Sequence, residues 1–382
     1  MDYQATTPTD PRVVKAMLPY FTERPGNPHS AAHLYGWEAE EAVDIAREEI
    51  AGAIGADPKE IIFTSSATES NNLAIKGFIE YLESPSHVIT VATEHKCVLE
   101  SCKHLERHGH RVTYLSVQAD GLIDLKTLEN AIEPTTRLIS VMAVNNETGV
   151  IQPLEAIGAM AKKRNIIFHT DAAQAVGKIP LDVNALAIDL MSISGHKIYG
   201  PKGVGALYIR RRPGLKLQPQ LHGGGQERGL RSGTLPTPLI VGLGKAVRFA
   251  SDAMNQEAVE ITALAKRFIQ GIRKIPGTVL HGHPDAKIPG CINVGFEGIE
   301  GGALLLSMKG LAVSSGSACT STSIEPSYVL RAMGVAESLA RASIRFGIGR
   351  FTKMEDIERA LDNVVENVEK LRTTSTATRK AQ

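Results

Sequence analysis

The chain has 382 residues, 43% hydrophobic and 22% charged, which at ~150 residues per domain means about two domains with a sizeable core and excludes a stapled miniprotein or a disordered chain. Its formal net charge of +1 offers no field for a phosphate backbone, so nucleic acid is not a primary partner. The four cysteines, Cys97, Cys102, Cys291 and Cys319, form no CxxC pair, which excludes a zinc ribbon or a secreted disulfide framework and fits a reducing, cytoplasmic compartment. No stretch reaches the ~18 apolar residues of a membrane span, and the start lacks a signal-peptide pattern. An organellar protein that has lost its presequence would read the same.

From about residue 37 to 210 amphipathic segments at helical spacing alternate with short β-rich apolar runs, the pattern of a mostly parallel sheet. Helices are predicted at 38–54, closed by Gly55, and at 68–82, 95–108 and 153–164. Strands are predicted at 60–64, 87–92, 111–115, 137–144, 166–170, 189–194 and 204–209. Residues 210–236 change to a glycine-rich loop, and 239–275 read as one long helix with a possible break near 251–255. Strands at 291–296 and 343–348 with two further helical segments are enough for a smaller α/β domain. Ligands of open α/β sheets bind at the carboxyl ends of the strands, so the function is to be sought there.

Four segments fall at such ends. Lys197 follows an apolar strand amid Ser, Gly and His, where desolvation can depress an amine's pKa and suit it to a Schiff base; Lys202 reads as an ordinary solvated lysine. Asp171 ends the run 166–170 and either pairs with a protonated ring nitrogen or caps a helix. The hydroxyl-rich 64–70, which includes Ser66, Ala67 and Thr68, joins a strand to a helix and can hold a phosphate on backbone N–H groups, or simply cap that helix. His95 opens a helix and is either a cap or a stacking face for a flat ring. Together they make a pyridoxal-phosphate constellation.

Cys319 lies among small residues in 313–323, unlike the apolar surroundings of Cys291, and reads as an accessible thiol or an incidental linker cysteine. Arg345, in a strand-like run, either clamps a carboxylate or forms an internal ion pair. There is no P-loop and no HExxH. Gly223-Gly224-Gly225 follows no strand, and His29 and His33 lack a third ligand, so no intrinsic metal site is predicted.

The runs DYQATTP (2–8), GNPHS (26–30), TSSATESNNLAIKG (64–77), TEHKCV (93–98), VNNETG (144–149), SGHKIYGPKG (194–203), HGGGQERGLRSGT (222–234) and SSGSACTSTSIEPSYVLRAMG (314–334) resemble group I cysteine desulfurases of the iron–sulfur assembly and nitrogen-fixation type. The resemblance covers nearly the whole chain. It implies the aspartate-aminotransferase-like fold type I of α/β pyridoxal-phosphate enzymes. A large, mostly parallel seven-stranded sheet domain over 15–255 would be joined by a smaller domain made of 1–14 and 256–382, carrying the active-site cysteine loop at about 314–325.

The resemblance also implies roles. Lys197 would hold pyridoxal 5'-phosphate, Asp171 would pair with its ring nitrogen, Gln174 with its phenolic oxygen, and His95 would stack on the ring and shuttle protons. Ala67, Thr68, Ser194 and His196 would surround the phosphate, joined by Thr234 from the other subunit of a homodimer. Asn146 would line the pocket, and Asn27 and Arg345 would receive the carboxylate of L-cysteine. Cys319 would take the sulfur as a persulfide, give it to an iron–sulfur scaffold or other acceptor, and transiently ligate a cluster shared with that scaffold.

Three departures stand out. Ser66 replaces a glycine common in the phosphate cup, the start at Asp2 lacks the short apolar lead of relatives, which means either a missing edge strand or a misassigned start, and 373–382 lacks the longer tail used to dock a scaffold. Alternatives on the same fold are a selenocysteine lyase, an aminotransferase and a catalytically silent assembly partner.

Overall fold

The structure is a computed structural model and describes residues 1–299, 301–315 and 325–380. Seven short apolar runs form one sheet: β1 (Ile61–Thr64), β2 (His87–Val91), β3 (Arg111–Leu115), β4 (Thr136–Ser140), β5 (Ile167–Asp171), β6 (Leu190–Ser194) and β7 (Gly205–Ile209), in the order β1-β7-β6-β5-β4-β2-β3. Strands β6, β5, β4, β2 and β3 pair in parallel, while β7 runs antiparallel between β1 and β6. Six strands therefore point their carboxyl ends at one edge.

Strands β1, β2, β5 and β6 are buried at every position because helices cover both faces. Successive residues alternate between two cores. Ile62, Ile167 and Leu190 pack with Leu73, Phe78 and Leu105 of the helices Ala67–Tyr81 and Lys96–Arg107. Phe63, Phe168 and Met191 pack with Ile50, Ile157 and Leu243 of the helices Leu34–Ile54, Leu154–Lys163 and Thr237–Ile272. The first of these starts earlier than its apolar pattern suggests because His33 caps it, its Nδ1 accepting from Gly36 N, and it ends where Gly55 turns left-handed at φ 70°.

The long helix Thr237–Ile272 is continuous, and the break expected near 251–255 does not occur: no Pro or Gly interrupts it between Gly244 and Gly271. Ile240, Leu243 and Val247 near its start belong to the large core, whereas Ala265, Phe268 and Ile272 near its end belong to a second. That second core lies against the antiparallel sheet β10-β9-β8, made of β8 (Thr278–His281), β9 (Cys291–Phe296) and β10 (Ser343–Gly347), and the helix Met354–Lys380. Val13, from the stretch expected in the smaller unit, packs in the large core. Asp2 forms a single parallel bridge with Gly347, so the start of the chain lies along β10.

Gly205 begins β7 where this strand meets the β1 turn: an added Cβ would sit 2.5 Å from Ile193 O and 2.7 Å from the Ser66 carbonyl carbon. Gly205→Ala is therefore expected to cost about 1–3 kcal/mol, read as a lower denaturation midpoint.

His169 of β5 ties three strands together through Ser140 Oγ at 2.8 Å and Ser192 Oγ at 3.1 Å, and burial lowers its pKa to about 3. Between pH 6.5 and about 3 the unfolded chain takes a proton that the folded one refuses, so this group's contribution is lost as pH falls, by up to ~1.4 kcal/mol per unit. In urea titrations the stability advantage of the native chain over His169→Gln is expected to shrink from pH 7.5 to pH 5.

Candidate active site

The carboxyl ends of β1, β2, β5 and β6 converge on a cavity of about 210 Å³. Ala67, Thr68, His95, Asn146, Asp171, Gln174, Ser194, His196, Lys197 and Arg345 all line it. Asn27 and Thr234 do not: both are exposed, and Asn27 Oδ1 is used locally, accepting from His29 N at 3.0 Å. Cys319 lies outside the described residues.

Asp171 is the last residue of β5. Its Oδ2 accepts from Asn71 Nδ2 at 2.7 Å and its Oδ1 from Ala173 N at 2.9 Å, an Asx turn rather than the helix cap that was its alternative role. Lys197 follows β6 in a single 3-10 turn, Gly195–Lys197, and its Nζ donates to Gln4 O and Ala5 O, each at 2.7 Å. Lys202 is exposed, as predicted.

At the end of β1, Ser66 Oγ accepts from Glu69 N and Ser66 O accepts from Ser70 N. Ala67 and Thr68 thus stand in the first turn of a 15-residue helix, where backbone N–H groups have no intrahelical acceptor and an anion is favoured. Ser66 sits at φ −177°, ordinary extended backbone, so its replacement of glycine introduces no strain.

His95 is both cap and pocket wall: its Nδ1 accepts from Cys97 N at 3.3 Å and lies 2.9 Å from Cys97 Sγ. Burial holds its imidazole below the ordinary 6.5, Asp171 opposing and Lys197 adding to the effect. Burial, then Lys197, lowers His196 to about 4. Cys97 Sγ also accepts from Asn71 Nδ2 at 3.1 Å, and burial followed by the Asp171 charge pushes its thiol up to about 12. Gln174 Nε2 donates to Gln4 O at 2.9 Å while its Oε1 accepts from Lys178 Nζ at 2.8 Å.

Gln4, Ala5 and Cys97 are site residues to which the sequence reading gave no role. Their motifs, DYQATTP and TEHKCV, were the available signal. His33 serves as a helix cap, and among the described residues no group of His, Cys, Asp and Glu could hold a metal. No helix among them is long and apolar enough to cross a membrane.

The residues fit pyridoxal phosphate. An amine, a carboxylate fixed by two donors and a helix start with hydroxyl neighbours line one cavity, and Asn71 Oδ1 beside them is buried without a partner among the described residues.

A family model described as aminotransferase class-V matches residues 1–360. The chain is 58% identical over 374 residues to the cysteine desulfurase IscS of Rickettsia felis, covering 97% of this chain and 91% of that protein. It superimposes on the solved structure of a NifS-like protein with a TM-score of 0.90 at 38% identity, covering 97% of this chain and 99% of that one. It also matches a structure of SspA in complex with cysteine, with a TM-score of 0.82 at 43% identity over 92% and 99% of the two chains. The chain accordingly belongs to the class-V aminotransferases, among the pyridoxal-phosphate-dependent cysteine desulfurases of the IscS and NifS type.

Proposed function

We propose that the chain removes sulfur from L-cysteine, releases L-alanine, and passes the sulfur, carried as a persulfide on Cys319, to an acceptor protein of iron–sulfur cluster assembly or tRNA thiolation. The observation that carries this reading is the presence of Lys197 and Asp171 in one cavity with the helix start at Ala67 and Thr68. When bound, pyridoxal phosphate supplies an aldehyde for the substrate's amine and a ring that takes up the electron pair left at the α-carbon.

Asp171, held by Asn71 and the Ala173 N–H, would keep the ring nitrogen protonated. Ala67, Thr68, Ser194 and His196 would hold the phosphate, and Gln174 the phenolic oxygen. Lys197 Nζ, now hydrogen-bonded to two carbonyls, is the amine that would bind the cofactor and then move the α-proton. His95, kept neutral by burial, would cover the ring and can accept a proton. Arg345, which lines the cavity, would receive the substrate carboxylate. The Cys319 thiolate attacks the substrate sulfur, the carbon–sulfur bond breaks with its electron pair staying on the carbon, the sulfur remains on Cys319 as a persulfide, and the carbon fragment takes up protons to leave as L-alanine. Cys97 is no rival, because its thiol stays protonated well above neutral pH.

The acceptor is supported by the name IscS of the Rickettsia felis relative. The exposure of Thr234, away from the cavity of its own chain, supports a homodimer in which each copy completes the other's phosphate site. Free thiols at Cys97, Cys102 and Cys291 support a reducing, cytoplasmic setting.

Cys319→Ala is expected to keep the yellow colour of the loaded enzyme while persulfide and sulfide production fall by on the order of 10³ or more. Lys197→Ala is expected to lose both. Sustained desulfuration by Cys319→Ala in the presence of thiol reductant, measured as alanine released, would overturn the assignment.

A further inference from the structure

Arg345, read above as the receiver of the substrate's carboxylate, already faces a carboxylate of its own chain. Its Nη2 donates to Asp2 Oδ1 at 2.9 Å and its Nη1 to Asn146 O at 2.9 Å, while its Nε is buried with no partner among the described residues. Asp2 Oδ2 in turn accepts from Ser314 Oγ at 2.8 Å. Ser314 is the backbone partner of Arg345, with Arg345 N donating to Ser314 O at 2.7 Å. The Arg345 side chain is 1% exposed and that of Asp2 20%.

A guanidinium buried this completely needs a counter-charge whether or not a substrate is present, and Asp2 supplies it. The same contact obstructs substrate. A carboxylate is gripped best by two adjacent N–H donors, and of the Nε/Nη2 pair Asp2 holds one nitrogen and leaves the other unused. Two carboxylates on one guanidinium would leave a net negative charge in a pocket that already contains Asp171.

We propose that Asp2 is a specificity-determining residue: an internal carboxylate that occupies Arg345 in the empty site and exchanges with the α-carboxylate of the incoming amino acid. The inference rests on Arg345 being the carboxylate receiver. Exchange needs no movement of the main chain. The segment is held independently of the Asp2 side chain, by Gly347 N to Met1 O at 2.8 Å and Gln4 Nε2 to Gly290 O at 3.1 Å, and Asp2 retains Ser314 Oγ as a partner. A ligand must therefore bring a carboxylate that competes with Asp2, and an amino acid derivative without one gains nothing at Arg345.

The test is equilibrium binding of L-alanine and of L-alaninamide to the cofactor-loaded protein, by calorimetry. Asp2→Asn is expected to tighten L-alanine roughly tenfold, the scale of one charge-assisted hydrogen bond, and to leave L-alaninamide unchanged. Ser314→Ala, which loosens Asp2 without removing its charge, should shift L-alanine the same way by a smaller factor, and it serves as the test if Asp2→Asn fails to fold. Unchanged or weaker L-alanine binding in these variants overturns the proposal, as does equal tightening of both ligands. Arg345→Gln separates the underlying reading: it should abolish the preference for L-alanine over L-alaninamide. Survival of that preference rejects Arg345 as the receiver, whatever Asp2 does.

Discussion

The carboxylate of Asp171, set at the end of a strand buried on both faces, is the charge around which the rest of the site is arranged. It is tolerated there because Asn71 and the Ala173 N–H satisfy its two oxygens. Its field then reaches its neighbours. Glu94, fully buried, is pushed well above the ordinary carboxylate range by burial and then by Asp171, and the Cys97 thiol is raised by the same two causes in the same order. His95 is kept neutral by burial although Asp171 pulls the other way. Asp171 and burial thus both favour the protonated, uncharged forms of Glu94 and Cys97, while of the two only burial favours the neutral imidazole of His95.

A second constraint is that the cavity is not made by the sheet alone. Residues 2–10 run between the two cores and stitch them at the site. Gln4 O and Ala5 O hold Lys197, and Thr7 binds both the His196 carbonyl and Tyr199 N. Asp10 pairs with Arg350, which also meets Glu257 of the long helix and lies over the Tyr199 ring. Hydrogen bonding to Arg12 chiefly holds Asp10 at about 2, so this tie stays charged across the physiological range. The lysine is thus positioned from both sides, by its own turn after β6 and by a strap that also reaches β10.

Much of this frame was legible in apolar periodicity. The strands 111–115 and 291–296 were read with their observed bounds. The strand predicted over 137–144 is assigned only as far as Ser140, although Val141 N and Ala143 N still donate to His169 O and Asp171 O of β5, so the buried apolar run continues beside β5 without completing the regular ladder. The four-residue edge strand Thr278–His281, largely half-buried, was too short and too weakly patterned to be seen. For the site, strand ends carrying Lys, Asp, His or Ser were recognisable by residue type. The parts supplied by Gln4 and Ala5 were not, since a backbone carbonyl has no sequence signature. Arg345 was read with both its roles open, carboxylate clamp and internal ion pair, and the fold gives it the second while placing it in the wall where the first is needed.

Cys97 shows what such a pocket permits a thiol. A cysteine built into its wall lies within the reach of Asp171 and out of water, and both effects stabilise the protonated form, as Cys97 demonstrates. A nucleophile that must be a thiolate is therefore incompatible with a permanent place in this frame of sheet and helix. Such a sulfur acceptor is better carried on a segment outside the frame, meeting the substrate sulfur only once the amine and ring chemistry let the carbon keep the electron pair of the breaking carbon–sulfur bond. Cys319, the residue proposed above to carry the sulfur, stands in the sequence in a run of Ser, Gly, Ala and Thr after Ser314 rather than at a predicted strand end.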